Sequence, residues 1–237
     1  MRTAIVVILL MAVSEFLPAC TSAVISGKAT ADGRPLLWKH RDSEYERNKL
    51  RYFKGPSYAF IGVVNSDTLQ DQVWMGSNEA GFSIINTATY NQNVGVDCPT
   101  DEEGIFMHDA LGSCATLAEF ERMLERTNGE RGGDANFGVI DAAGGAAYYE
   151  VGYRRWKKFD ANGPAVAPDG YLLRTNYAVG GDPGHKKGTV RFLTATGIFA
   201  RESGARKLSV EFLLLGADDN LEHALLRTDL ASGRLPA

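Results

Sequence analysis

This sequence has no recognisable metal-binding pattern. Three cysteines and four histidines are spread over 237 residues. None forms a CxxC, an HExxH or a Cys/His cluster at ligand spacing, so the common zinc sites are excluded and no metal is expected. There is no GxSxG elbow, GxGxxG turn or Walker loop, which removes the usual anchors for α/β-hydrolase, dinucleotide and P-loop chemistry. No cofactor is expected either. Runs of like charge are also missing. The 25 basic and 29 acidic residues give a net charge of −4, without the basic footprint of a nucleic-acid surface. No apolar stretch reaches the ~20 residues of a membrane span. Low-complexity tracts, internal repeats and domain linkers are absent.

What is present fits one globular domain behind a leader. The composition is 44% hydrophobic and 23% charged, enough to bury a sizeable core. Residues 1–19 have the pattern of a secretory signal. Arg2 supplies the positive start, Ala4 to Val13 is a continuous apolar run, and small Ala19 stands just before Cys20. The expected division is a signal peptide over 1–19 and a domain over 20–237. The expected location is extracytoplasmic, periplasmic or secreted, where disulfides persist. Whether Cys98 and Cys114 pair stays open.

Along the domain, Thr21 to Thr30 and Pro35 to Arg41 read as strands, with the hairpin signal Asp32-Gly33 between them. Ser43 to Lys54 is charged and reads as a loop. Tyr58 to Val64, Gln72 to Ser77 and Phe82 to Thr87 are strand candidates, and Asn91 to Gly104 is a loop. Ile105 to Leu111 reads as a short helix. Thr116-Leu117-Ala118-Glu119 is a capping box opening a second helix, with Leu117, Phe120 and Leu124 on its apolar face and a stop at Asn128-Gly129. Strands return at Asn136 to Asp141, Ala146 to Val151, Tyr153 to Phe159 and Gly170 to Asn176. Two helices close the chain: Thr189 to Ser203, with Val190, Leu193, Ile198 and Phe199 apolar, and Leu221 to Leu230. Hairpin-linked strands with helices gathered between them suit an α+β layered domain built on antiparallel sheets.

Cys20 is the residue with the most chemistry. Cleavage after Ala19 would make it the mature N-terminus. Its α-amine, with a pKa of roughly 7.7–8.0, would then sit beside a thiol of about 8.5. One residue would carry both nucleophile and general base near neutral pH. Folding about Asp32-Gly33 places Asp42 opposite Ala23, roughly 10 Å from Cys20 by strand rise. A carboxylate there would hold or orient the amine.

Cys20-Thr21, Asp42 after WKHR, Asn78-Glu79-Ala80-Gly81-Phe82 leading to Asn86, Thr175-Asn176 and Arg191-Phe192 follow one another in a familiar order. On these motifs, over most of residues 20–192, the chain resembles the linear-amide C–N hydrolase group of N-terminal nucleophile enzymes. That group includes choloylglycine hydrolases, penicillin V acylases, acid ceramidase-like and isopenicillin-N acyltransferase-like proteins. The resemblance implies a four-layer αββα sandwich, here without some C-terminal strands. It implies a catalytic set of Cys20, Asp42, Asn86, Asn176 and Arg191, with Asn86 in the oxyanion hole, and a small-molecule amide as substrate. The group often has Arg three residues before the Asp; here that residue is Lys39, and Arg41 adjoins Asp42. Lys39 and Arg41 are therefore expected at the substrate.

Two alternatives follow from the same residues. If a second amine clears the acyl-enzyme, the activity is an acyltransferase. Leu17-Pro18-Ala19-Cys20 also resembles a lipobox, which would make Cys20 a lipid anchor and the domain a binding module. The intact mass of the secreted protein separates them. We predict a mature chain beginning at unmodified Cys20; a diacylglyceryl mass increment on Cys20 would reject this.

Overall fold

The computed structural model describes residues 20–45, 47–67, 71–99, 102–205 and 207–217. Residues 1–19, expected as a leader, and the segment Leu221 to Leu230 lie outside the described residues. The elements run β1 (Thr21–Ile25), β2 (Leu36–His40), β3 (Asn48–Lys54), β4 (Ala59–Asn65), β5 (Met75–Asn78), β6 (Ser83–Ala88), α1 (Glu103–Ser113), α2 (Leu117–Arg126), β7 (Ala135–Ile140), β8 (Ala146–Val151), β9 (Trp156–Asp160), β10 (Tyr171–Arg174) and α3 (Thr189–Ala205). A π-helical turn over Phe212–Ala217 follows.

The strands form two antiparallel sheets. One has the order β10-β1-β2; the other has the order β3-β4-β5-β6-β7-β8-β9. The long sheet is a meander, in which each strand pairs with the next in the chain. Only β10 crosses over, returning to lie beside β1. The small sheet lies with β1 and β2 over β6, β7 and β8.

Three apolar clusters separate four layers. On the outside of the seven-stranded sheet, α1 and α2 pack around Phe120. Its ring centroid is 5.1 to 6.2 Å from those of Phe82, Phe106, Phe137 and Tyr149. Helix α2 turns this face inward because Leu117, Phe120 and Leu124 recur at helical spacing, and all three are buried. Its start is fixed at the expected cap: Thr116 accepts from the Glu119 amide, while the Glu119 carboxylate reaches one residue beyond the capping box to accept from Ala115 N. On the outside of the small sheet, Ala195, Ile198 and Phe199 of α3 cover Ala23, Ile25 and Trp38. Between the sheets, Val24 and Leu172 meet Ala146 and Tyr148. The observed order is α, β, β, α, as the resemblance implies.

Strand β1 is buried at every position. It has neighbours on both edges and layers on both faces, so its two polar side chains are paired, Ser22 Oγ with the Tyr148 hydroxyl at 2.7 Å and Thr21 Oγ1 with Arg191. It also lies close to the large sheet. A Cβ on Gly138 would come within 2.8 Å of Val24 and 3.1 Å of Tyr148. Only glycine lets the sheets approach so closely here.

Four expectations are corrected. Ala23 pairs with Trp38, not Asp42, and the ladder closes at Ile25↔Leu36. The connection is therefore a wide loop over residues 26–35. Thr30 anchors it by donating to the Gly27 and Arg34 carbonyls. Asp32-Gly33 is a local turn inside that loop, with Gly33 at φ +77°, and is not the hairpin centre. Strand β1 accordingly ends at Ile25, not at Thr30. The charged stretch expected as a loop contains β3, which buries only Phe53; an edge strand tolerates charge because solvent reaches it. On α3, Val190 and Leu193 are 57% and 64% exposed, since the sheet beneath spans only three strands and takes the Ala195, Ile198 and Phe199 side of the helix.

Phe120 joins both helices of its layer to the sheet. Phe120→Ala should cost about 3–5 kcal/mol. Urea denaturation of the purified domain checks this: the midpoint should fall, with the slope unchanged.

Candidate active site

The site forms where β1 begins, β2 ends and α3 starts. Cys20 immediately precedes β1 and is 8% exposed. Because Thr21 pairs with His40, Cys20 falls level with the end of β2, and its Sγ lies 3.6 Å from the Asp42 carbonyl oxygen. The corrected register thus brings Asp42 nearer to Cys20 than the symmetric hairpin would. The contact is made by the backbone, however. The Asp42 side chain is exposed, and its carboxylate acts on the site through attraction to Arg191.

Arg191 connects the most distant parts. It donates to the Cys20 carbonyl and, at 3.2 Å, to Thr21 Oγ1. Its other terminal nitrogen donates to Asn176 Oδ1 at 2.8 Å. Asn176 is buried in the turn after β10, and its Nδ2 donates to the Ala88 carbonyl at the end of β6 at 3.0 Å. One guanidinium therefore ties the nucleophile candidate, the small sheet and the large sheet together. Gly188 makes room for it: at φ +82°, a Cβ there would stand 2.6 Å from Arg191 Nη2. Burial lowers the pKa of this guanidinium, while negative charge on Cys20 and Asp42 pushes it back up.

A second group approaches from β2. The Lys39 Nζ donates to Asn86 Oδ1 at 2.7 Å and to the Trp74 carbonyl at 2.8 Å. Arg41 is held by the Asn65 and Asn48 side-chain oxygens at 2.8 and 2.7 Å and stacks on the Trp74 ring at 5.3 Å. Both residues, expected at the substrate, are thus engaged with protein groups. Trp74 Nε1 is buried without a hydrogen-bond partner among the described residues. A thiolate at Cys20 would attract three cations, Lys39, Arg41 and Arg191.

All five expected catalytic residues and both flanking cations therefore gather around one end of β1. The sequence reading missed the polar network behind them. Thr87 Oγ1 and Asn136 Nδ2 both donate to the Thr175 carbonyl. Glu150 forms a buried ion pair with Arg174 at 3.1 Å and accepts from the Val179 and Gly180 amides. This network fixes the turn that presents Asn176. Its signal was a charged residue inside each of two otherwise apolar strands, AAYYEV and YLLR. Cys20, Cys98 and Cys114 are all free thiols. Among the described residues no cluster could hold a metal, and no helix is long and apolar enough to cross a membrane. A cavity of about 310 Å³ near Lys28, Asn162 and Asp169 contains none of these residues.

No protein-family model matches the chain, and no curated protein does. Solved structures do. An N-acylethanolamine-hydrolyzing acid amidase ortholog from Caenorhabditis elegans superposes with a TM-score of 0.56 at 15% identity, covering 87% of this chain and 85% of that one. A variant of the conjugated bile acid hydrolase from Clostridium perfringens superposes with a TM-score of 0.50 at 14% identity, over 85% and 79%. The chain has the N-terminal nucleophile hydrolase fold.

Burial brings the Lys39 pKa down to about 8, the more so for the charge on Arg41, against the pull of Cys20. The Lys39 side-chain ¹³Cε shift should thus titrate near pH 8 instead of above 10. Cys20→Ala removes the raising influence, so the midpoint should fall further. A midpoint above 10 in the wild type would contradict this environment.

Proposed function

We propose that this protein is an amide hydrolase that cleaves linear, non-peptide C–N bonds through Cys20 as an N-terminal nucleophile. The observation that carries the reading is the Arg191 cluster, which joins Cys20, Thr21 and Asn176 from segments over 150 residues apart. A helix whose first turn carries a cation works against its own dipole by about 0.3–1 kcal/mol. Such a placement makes sense when the cation has work to do at the strand beneath.

The signal peptide is removed after Ala19, in an extracytoplasmic compartment, and the α-amine of Cys20 becomes free. The substrate carbonyl settles against Sγ. The amine accepts the thiol proton and the thiolate attacks. Arg191, bonded to the Cys20 carbonyl, favours the negative sulfur. The tetrahedral oxyanion accepts from Asn86 Nδ2 and a backbone N–H, a donor contribution of about 3–4 kcal/mol to the barrier. Asn176 Oδ1 has a second lone pair beyond the one Arg191 uses, available to the α-ammonium. The Asp42 carboxylate acts at longer range, through its attraction to Arg191. The amine then protonates the leaving nitrogen, the C–N bond breaks, and water hydrolyses the thioester.

The two solved structures above are named as an amidase and a conjugated bile acid hydrolase, which supports amide hydrolysis as the reaction class. The acceptor in the last step, water or a second amine, decides between hydrolase and acyltransferase.

Mature protein beginning at Cys20 should release amine from one or more N-acyl amides in a chromogenic or mass-spectrometric screen. Cys20→Ala should abolish this release, and a stable acyl adduct on Cys20 should be trapped by acid quench. Undiminished turnover by Cys20→Ala would reject the mechanism.

A further inference from the structure

We propose that Lys39 is a positioning residue that sets the orientation of the Asn86 amide, and that it does not serve chiefly as a contact to substrate. The proposal rests on the amidase reading for its kinetic consequence, but its structural core is independent of it.

The argument starts from donor counting. An ammonium has donors and no acceptor, whereas an asparagine amide has one end of each kind. Lys39 Nζ stands 2.7 Å from the Asn86 side chain, so the amide oxygen must face it. The opposite flip would set an NH₂ group against an NH₃⁺ group. With the oxygen held, Nδ2 points away from Lys39, and none of the described residues accepts a hydrogen bond from it. Asn86 is only 4% exposed. A buried amide with its acceptor end fixed and its donor end free is preorganised for an oxyanion, with no reorientation left for the reaction to drive.

Lys39 is itself fixed. The ladder between β5 and β6 stops at Met75↔Ile85, so the Trp74 carbonyl has no partner across from it in β6. The ammonium takes that carbonyl at 2.8 Å. Two rigid acceptors, one on each side of the gap between β5 and β6, thus hold the cation. Trp74 is in turn covered by Arg41, which closes the group on its outer side.

The test is a double-mutant cycle on the mature protein with any N-acyl amide that it cleaves. Lys39→Met keeps the stem and removes the donor. It should lower kcat about 100-fold and leave KM within about twofold, because Asn86 alone supplies a factor of about 10²–10³. Lys39→Met should then cost no more than about twofold on an Asn86→Ala background, since both changes remove one function. A raised KM at unchanged kcat would make Lys39 a substrate contact, and multiplying losses would make the two residues independent; either overturns the proposal. If Lys39→Met does not fold, Lys39→Leu, which also lacks a donor, carries the same cycle.

A second readout needs no activity. In ¹⁵N-labelled protein the Asn86 side-chain NH₂ pair, assigned by its loss in Asn86→Ala, should shift and broaden in Lys39→Met. A pair unmoved by the substitution would overturn the proposal. If the wild type cleaves no amide while this pair responds, the proposed activity fails and the link between Lys39 and Asn86 stands.

Discussion

One guanidinium governs the arrangement of the candidate site. Arg191 is desolvated and sits in the first turn of α3, two unfavourable circumstances for a cation. Its hydrogen bonds to Cys20, Thr21 and Asn176 offset both. Each acceptor belongs to a different structural event: the entry into β1, the first residue of that strand, and the turn leaving β10. Moving any of them would leave a buried donor or acceptor unmatched, at about 1–3 kcal/mol each. The layers can therefore pack in one relative position only. The close approach of β1 at Gly138 imposes the same demand from the apolar side.

The polar groups are divided between the sheets in a consistent way. The large sheet supplies acceptors and donors from Thr87, Asn136 and Glu150, and the loop after β6 adds Asn91. The segment after β10 receives them along its backbone. The segment carrying Asn176 is thus irregular in conformation, yet its Thr175 and Tyr177 carbonyls and its Ala178, Val179 and Gly180 amides are all paired. A turn built this way holds Asn176 in place beside Arg191.

Much of this was legible from residue pattern. Ala146 to Val151 matches β8 to the residue, and α2 starts at the cap that Thr116 and Glu119 announce, because both signals are local. The register of β1 and β2 was not legible. Asp32-Gly33 has the form of a tight hairpin turn, but the loop is set by tertiary bonds of Thr30 and by a bridge from Thr30 to Leu208, and no local signal reveals these. Strand β3 was hidden because its exposed charges hide the alternation that a half-buried strand would show. The grouping of Cys20, Asp42, Asn86, Asn176 and Arg191 was expected from their order along the chain. The roles of Lys39 and Arg41 needed geometry, since a lysine on a strand reads alike whether it reaches outward or into a gap between β5 and β6. The ion pair of Glu150 and Arg174 went unseen for a related reason: sequence alone does not say which charges are buried together.

The place of Cys20 at the very head of β1 carries a mechanical consequence. The first cross-strand pair of β1 is Thr21 with His40 on one side, and Ser22 with Arg174 on the other. A peptide bond cut before Cys20 would thus break no rung of either ladder. Under the proposed cleavage after Ala19, the Cys20 nitrogen would change its chemistry without loosening the strand that follows it. Folding and the proposed activation would then be separable, joined at a single covalent bond.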